Sequence, residues 1–113
     1  MNDSVIDAAV FEEMRDLMDD ALPEFISTYL ENSPRLLDAL AIAMKSGDMD
    51  GVFHHAHQLK GGSGSIGAMR VYQLAIDIEN CIREASEMDE LERLHSELEA
   101  AYNQAAAELK THL

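Results

Sequence analysis

Residues 54–67 read HHAHQLKGGSGSIG, with three histidines in four positions followed by four glycines. A glycine in a helix interior costs about 1 kcal/mol relative to alanine, so this composition is unusual for a helix-forming chain. At 100° per residue, however, the mostly apolar residues of this region converge on one side of a helical wheel. They are Val52, Ala56, Leu59, Ser63 and Ile66. The spacing predicts a helix over residues 48–66, ended by Gly67.

The opposite face of this helix carries His57. Lys60, Gly61 and Gly64 follow it at i+3, i+4 and i+7, and Phe53 precedes it at i−4. The glycines leave the imidazole unshielded and the backbone approachable, and an exposed Phe53 suits a docking surface. The charge of Lys60 lies where it neutralises an anion bonded to the imidazole. The residues therefore predict a face on which a partner reaches His57.

Apolar periodicity predicts further helices before this one. A short first helix covers residues 5–18, with a stripe of Ile6, Val10, Met14 and Leu17. A long second helix starts near Pro23 and contains Pro34, which removes a backbone hydrogen bond and is expected to bend it. One side of this second helix carries Leu22, Ile26, Tyr29, Ser33, Leu37, Leu40 and Met44. Gly47 is predicted to end this helix, and Asp48 to cap the next.

Two helices are predicted after residue 67. The fourth carries an apolar stripe of Val71, Leu74, Ile78, Cys81, Ile82 and Ala85. Ser86, with Asp89 and Glu90 after it, resembles a capping-box start for the fifth. The stripe of the fifth is Leu91, Leu94, Leu98, Ala101, Tyr102, Ala105 and Leu109. We predict an all-α fold, an antiparallel four-helix bundle with an additional short N-terminal helix. One domain would cover residues 1–113, with the first helix at about 5–18 and the bundle at about 20–112.

The charge balance argues against several classes of partner. The chain has 22 acidic and 8 basic residues and a net charge of −14, and its basic residues are scattered singly. Phosphate backbones require clustered cations, so nucleic-acid binding is not expected. No segment approaches the apolar length of a membrane span, the N-terminus lacks the pattern of a signal peptide, and one cysteine fits a reducing compartment. We expect a cytoplasmic protein that does not bind membranes.

Residues 56–68, AHQLKGGSGSIGA, closely resemble the signature of histidine-containing phosphotransfer (HPt) domains, A-H-x-L-K-G-x-x-x-x-x-G-A. The preceding GDMDGV and the following helix with Ile78 and Glu79 are also similar to that family. The resemblance implies that His57 is the phospho-acceptor and Lys60 its neighbouring lysine. It also implies that the docking helix uses the small residues Gly61, Gly64 and Gly67. Gly62 departs from the family, which more often has Ser or Ala there.

The resemblance further implies a role in multistep phosphorelays. A neutral imidazole nitrogen would attack the phospho-aspartate of a response-regulator receiver domain. The partners would be receivers and a hybrid sensor histidine kinase, and the chain would act as a monomer. It would need no cofactor, because the receiver would supply Mg²⁺. The segment KGGSGSIG lacks the preceding strand and the GK[ST] ending of a P-loop, so a phosphoryl carrier without ATP-dependent kinase activity is expected.

Two alternatives remain open. The chain could be a helical adaptor in which the motif carries no phosphotransfer. His54 and His57, at i and i+3, could also chelate a transition metal, although no third ligand at helical spacing is evident. His54 is otherwise a surface residue, and His55 points toward the boundary of the bundle with a packing role.

Overall fold

The computed structural model describes residues 6–113, which form helices joined by short turns and contain no strand. Helix α1 spans Ala8–Met18 and is followed by a 3-10 turn at Asp19–Ala21. Helices α2 and α3 span Leu22–Ser46 and Met49–Ile66. Helices α4 and α5 span Met69–Arg83 and Met88–Lys110. The predicted all-α class is confirmed.

Helices α2 to α5 form a closed bundle. Helix α2 packs on α3, α3 on α4, α4 on α5, and α5 back on α2. Links of two to four residues separate successive helices, and such short links place neighbouring helices antiparallel. The shorter α1 packs on α3 and α2. This is the predicted four-helix bundle with an additional N-terminal helix.

The core is mostly aliphatic, and α3 contributes the stripe that the sequence predicts. The buried residues of α3 are Val52, Ala56, Leu59, Ser63 and Ile66. The predicted stripe of α5 is also buried throughout, with Ala106 in addition. Because α3 turns this stripe inward, its opposite face is left for solvent.

Local signals set the ends of α3. The side chain of Asp48 accepts a hydrogen bond from the backbone N–H of Gly51 at 3.0 Å, which is an N-cap. Gly47 ends α2 at φ 76° and Gly67 ends α3 at φ 88°. This left-handed backbone favours glycine, because other residues pay a steric cost there. The predicted caps are confirmed, and α2 runs through Pro34 as one helix.

The predicted start of α5 at Ser86 is wrong. Helix α4 ends at Arg83, and Ala85 adopts a left-handed φ of 51° outside the helix. The backbone N–H of Ser86 then donates to Cys81 O at 3.0 Å, which satisfies a carbonyl at the end of α4. The N-cap of α5 is Glu87, without a side-chain hydrogen bond. Ser86 therefore belongs to the end of α4, and Ala85 does not extend the stripe of that helix.

The first helix also differs from its prediction. It starts at Ala8, with Asp7 as N-cap accepting from the N–H of Val10, and residue 5 lies outside the described residues. Phe11 is the buried residue of α1, whereas Leu17 is 78% exposed. Of the predicted stripe, Ile6 is buried and Met14 packs against the core, so the prediction is wrong at Leu17, and Phe11 adds to the buried side.

Candidate functional site

His57 lies on the exposed face of α3, as predicted. Its side chain is 62% exposed, whereas the side chain of Lys60, one turn later, is 24% exposed. Both residues contact the same acidic side chain of the neighbouring helix α4. The site is therefore built by two helices rather than by one helix face.

That acidic residue is Glu79, whose side chain is only 3% exposed. One carboxylate oxygen, Oε2, lies 2.8 Å from Nδ1 of His57, and the other, Oε1, accepts a hydrogen bond from Nζ of Lys60 at 2.9 Å. Buried neighbours on α4, Ala75 and Ile78 among them, turn this part of the helix toward the core. Packing of α4 on α3 thus brings a buried carboxylate under the exposed imidazole.

The electrostatic environment keeps Glu79 ionised. Burial opposes ionisation, but hydrogen bonds from Lys60 and His57, together with their charges, outweigh it and lower the pKa of Glu79. An ionised carboxylate only accepts hydrogen bonds, so Nδ1 of His57 must carry the proton. In a neutral imidazole the lone pair then resides on Nε2. The pair therefore selects the tautomer with a nucleophilic Nε2.

Phe53 lies one turn before His57 but is partly buried rather than free in solvent. Its ring is nearly parallel to the imidazole, at 8°, with ring centroids 6.4 Å apart. The guanidinium carbon of Arg83, the last residue of α4, lies 5.1 Å from the centroid of the Phe53 ring. Phe53 is therefore part of the surroundings of His57 as well as of the surface.

The three predicted docking glycines have different surroundings. A Cβ at Gly61 would meet no heavy atom within 4 Å, so this part of the face is open. A Cβ at Gly64 would lie 2.9 Å from Cδ1 of Tyr72, so Gly64 permits the close approach of α3 and α4. Gly67 is buried, and its φ of 88° ends α3. Burial and backbone conformation account for Gly67, and its predicted role in partner docking stays a prediction.

The neighbouring histidines do not join the site. His54 is exposed, and His55 is partly buried with its Nδ1 enclosed and without a hydrogen-bond partner. His55 lines an open cavity of about 570 Å³ between α2 and α3. Among residues 6–113, no group of three His, Cys, Asp or Glu side chains is arranged to hold a metal ion.

Glu79 had no role in the sequence-based site. A signal was present, because this charged residue follows Ile78 on the apolar side of α4, four residues after Ala75. A carboxylate at such a position needs a partner, since burying an unpaired charge is costly. The sequence does not show which cation supplies it.

Comparisons with known proteins identify the family of this chain. The family model described as "Hpt domain" matches residues 24–108. Histidine-containing phosphotransfer protein 4 of Arabidopsis thaliana is 33% identical over 103 residues, covering 78% of this chain and 79% of that protein. Histidine-containing phosphotransfer protein 2 of the same plant is 36% identical over 78 residues, covering 63% of this chain. The chain spans about half the length of several curated relatives that it matches.

Solved structures share the fold. Histidine-containing phosphotransfer protein B (HptB) of Pseudomonas aeruginosa PAO1 superposes with a TM-score of 0.92 at 24% identity, covering 98% of this chain and 96% of that chain. A histidine-containing phosphotransfer protein of rice, described as putative, gives 0.84 at 20% identity, covering 95% and 78%. In the described part of the chain, no helix has both the length and the apolar character to cross a membrane. The family match over most of the sequence shows that the chain belongs to the Hpt domain family.

Proposed function

We propose that this protein is a phosphorelay intermediate that accepts a phosphoryl group on His57 from the phospho-aspartate of a receiver domain and passes it to another receiver. The observation that carries the proposal is the contact between Nδ1 of the exposed His57 and the buried carboxylate of Glu79. It supplies an accessible nucleophilic nitrogen on a surface that a large partner can approach. Membership of the Hpt domain family supports the same role.

The chemistry is a displacement at phosphorus. The lone pair of Nε2 forms the N–P bond while the P–O bond to the aspartate breaks, and the bonding electrons leave with the carboxylate. The imidazole gains positive charge as the bond forms. Glu79 stabilises that charge through Nδ1–H, and transfer to the next receiver reverses these changes.

Lys60 acts on the phosphoryl oxygens. Its ammonium donates one hydrogen bond to Glu79 and has two further N–H groups for an anion next to His57. The carboxylate thereby holds both the nucleophile and the cation. We propose that this chain provides position and charge without using ATP, as a phosphoryl carrier rather than a kinase. We propose no cofactor in this chain, with Mg²⁺ expected on the receiver.

Docking is proposed on the open face around Gly61. No side chain would meet a Cβ at this position, so a receiver surface can approach the helix backbone closely. We propose that the partners are response-regulator receivers and a hybrid sensor histidine kinase, met by a cytoplasmic monomer in transient complexes. Such complexes belong at the lower end of interface sizes.

The test is transfer from a phosphorylated receiver to the purified protein. We expect acid-labile phosphate to appear on wild type and to be absent from His57→Gln. His54→Gln and His55→Gln are matched controls from the same turn of α3 and should accept phosphate. Phosphate on another histidine would contradict the assignment of His57. No transfer from any receiver of the source organism would favour a helical adaptor instead.

A further inference from the structure

We propose that Phe53 and Arg83 are positioning residues that set the plane of the His57 imidazole for phosphoryl transfer. Phe53 lies beside the imidazole with nearly parallel rings, and Arg83 covers the Phe53 ring. The inference rests on the proposed function of His57. It assigns Arg83 a role through Phe53 rather than through contact with phosphate or with a partner.

The hydrogen bond to Glu79 does not by itself define the orientation of the imidazole. It holds Nδ1 at 2.8 Å from the carboxylate, but one contact to one ring atom still leaves the ring plane able to tilt by small rotations about the side-chain bonds of His57. The side chain is 62% exposed, so core packing does not restrain it. A second contact is needed to fix the direction in which Nε2 points.

Phe53 supplies that second contact. It lies four residues before His57 on α3, where side chains one turn apart are neighbours. The angle of 8° between the rings shows that the flat face of Phe53 matches the plane of the imidazole. A tilt of the imidazole would break the parallel arrangement of the two rings. The phenyl ring therefore restrains the tilt that the hydrogen bond to Glu79 leaves free.

Arg83 holds the phenyl ring in turn. Its guanidinium carbon lies 5.1 Å from the centroid of Phe53, within the range of a cation–π contact. Within residues 6–113, no acidic side chain forms an ion pair with Arg83. Arg83 also follows Glu79 by four residues on α4, so one helix restrains the imidazole at both its nitrogen and its stacking partner.

Orientation matters because the attacking lone pair must align with the P–O bond that breaks. A misplacement of about 1 Å at a reacting group costs up to about 100-fold in rate. Loss of the restraint should therefore lower the rate of transfer inside the docked complex. It should leave the concentration of receiver needed for docking unchanged.

The experiment measures single-turnover transfer from a phosphorylated receiver over a range of receiver concentrations. Arg83→Gln should lower the maximal rate about two- to fivefold, with the half-saturating concentration unchanged. Arg83→Lys, which keeps a cation over the ring, should recover most of the loss. Phe53→Leu should lower the maximal rate about tenfold, whereas Phe53→Tyr, which keeps an aromatic ring, should retain the wild-type rate. Circular dichroism and thermal unfolding verify that each variant is folded.

A matched control removes the same kind of contact elsewhere. Arg15 lies over the ring of Phe11 on α1, with its guanidinium carbon 5.5 Å from the centroid. Arg15→Gln should leave both transfer parameters at the wild-type values. An equal fall in rate for Arg15→Gln and Arg83→Gln would overturn the proposal.

A second readout uses the free protein and needs no receiver. NMR order parameters of the His57 side chain should fall in Arg83→Gln and Phe53→Leu and recover in Arg83→Lys and Phe53→Tyr. A raised half-saturating concentration for Arg83→Gln with an unchanged maximal rate would show that Arg83 contacts the receiver, and would overturn the inference. If wild type itself accepts no phosphate, the proposed function fails, whereas the NMR measurement still tests the restraint.

Discussion

Replacing Glu79 with Gln should slow phosphoryl transfer strongly while changing the shape of the site little. The carboxylate accepts one hydrogen bond from His57 and one from Lys60, on separate oxygens. Glutamine offers one acceptor oxygen, and its amide nitrogen only donates. One of the two contacts must therefore be lost.

Both orientations of the amide harm the reaction. If the NH₂ group faces His57, Nδ1 must accept, and the proton moves to Nε2, which removes the nucleophilic lone pair. If it faces Lys60, two donors oppose each other and the ammonium is displaced. A hydrogen bond to a charged group contributes about 1.5–3 kcal/mol. At about 1.4 kcal/mol per tenfold change, Glu79→Gln should slow transfer by about 10- to 100-fold.

Single-turnover transfer from a phosphorylated receiver measures this rate, and ¹⁵N NMR of the ring reports which nitrogen carries the proton. Glu84→Gln is the matched control, because it removes the same charge from an exposed residue just beyond α4. A wild-type rate for Glu79→Gln, with Nε2 still unprotonated, would refute the role of the carboxylate.

The same carboxylate predicts a dependence of stability on pH. The pKa of Glu79 is lowered from 4.5 because hydrogen bonds and charges from Lys60 and His57 outweigh the opposing effect of burial. The unfolded chain therefore binds the proton first as the pH falls, and the contribution of Glu79 is lost below about pH 4.5. Between pH 5 and pH 3, wild type should lose more free energy of unfolding than Glu79→Gln. Equal losses in urea titrations would contradict this.

Three further substitutions test other parts of the structure. Gly61→Ala should raise the free energy of unfolding by about 0.5–1 kcal/mol, because its methyl group meets nothing. Gly64→Ala should lower it by about 1–3 kcal/mol, because its methyl group would lie 2.9 Å from Tyr72; urea denaturation that ranks the two in the opposite order would refute this. Burial, opposed by a hydrogen bond with Ser63, raises the pKa of Tyr29 to about 12, so wild-type stability should fall as the pH rises from 10 to 12. Tyr29→Phe should lose less over that window, and an equal loss in thermal melts would contradict the assignment.

The helix that carries the site could be predicted because its signals are local. Asp48 and Gly67 define its ends through their own backbone neighbours, and its apolar spacing defines the buried side. The exposed position of His57 follows from these facts alone. Periodicity and caps therefore determine which face of α3 is exposed.

The side chains of α4 that contact that face could not be predicted, because the contacts depend on how α3 and α4 pack together. Glu79 lies 22 residues after His57, and their contact requires the packed bundle. The contact between Gly64 and Tyr72 likewise depends on the spacing of the two helices. The prediction that Ser86 starts α5 was wrong for a related reason. The left-handed backbone at Ala85 turns the N–H of Ser86 toward Cys81 O at the end of α4.

Because Glu79 and His57 lie on different helices, the segment that contains the HPt signature does not form the complete site when it is moved into another protein. A synthetic peptide of residues 49–67 would contain the histidine, the lysine and both glycines of the signature, yet it would lack the carboxylate that selects the imidazole tautomer. Grafting that segment onto another helical scaffold would transfer the sequence motif without the hydrogen bond that orients His57, unless an acidic residue of the scaffold contacted Nδ1. A transplant that works must therefore move a pair of helices in register, and the smallest such unit of this chain runs from α3 to the end of α4.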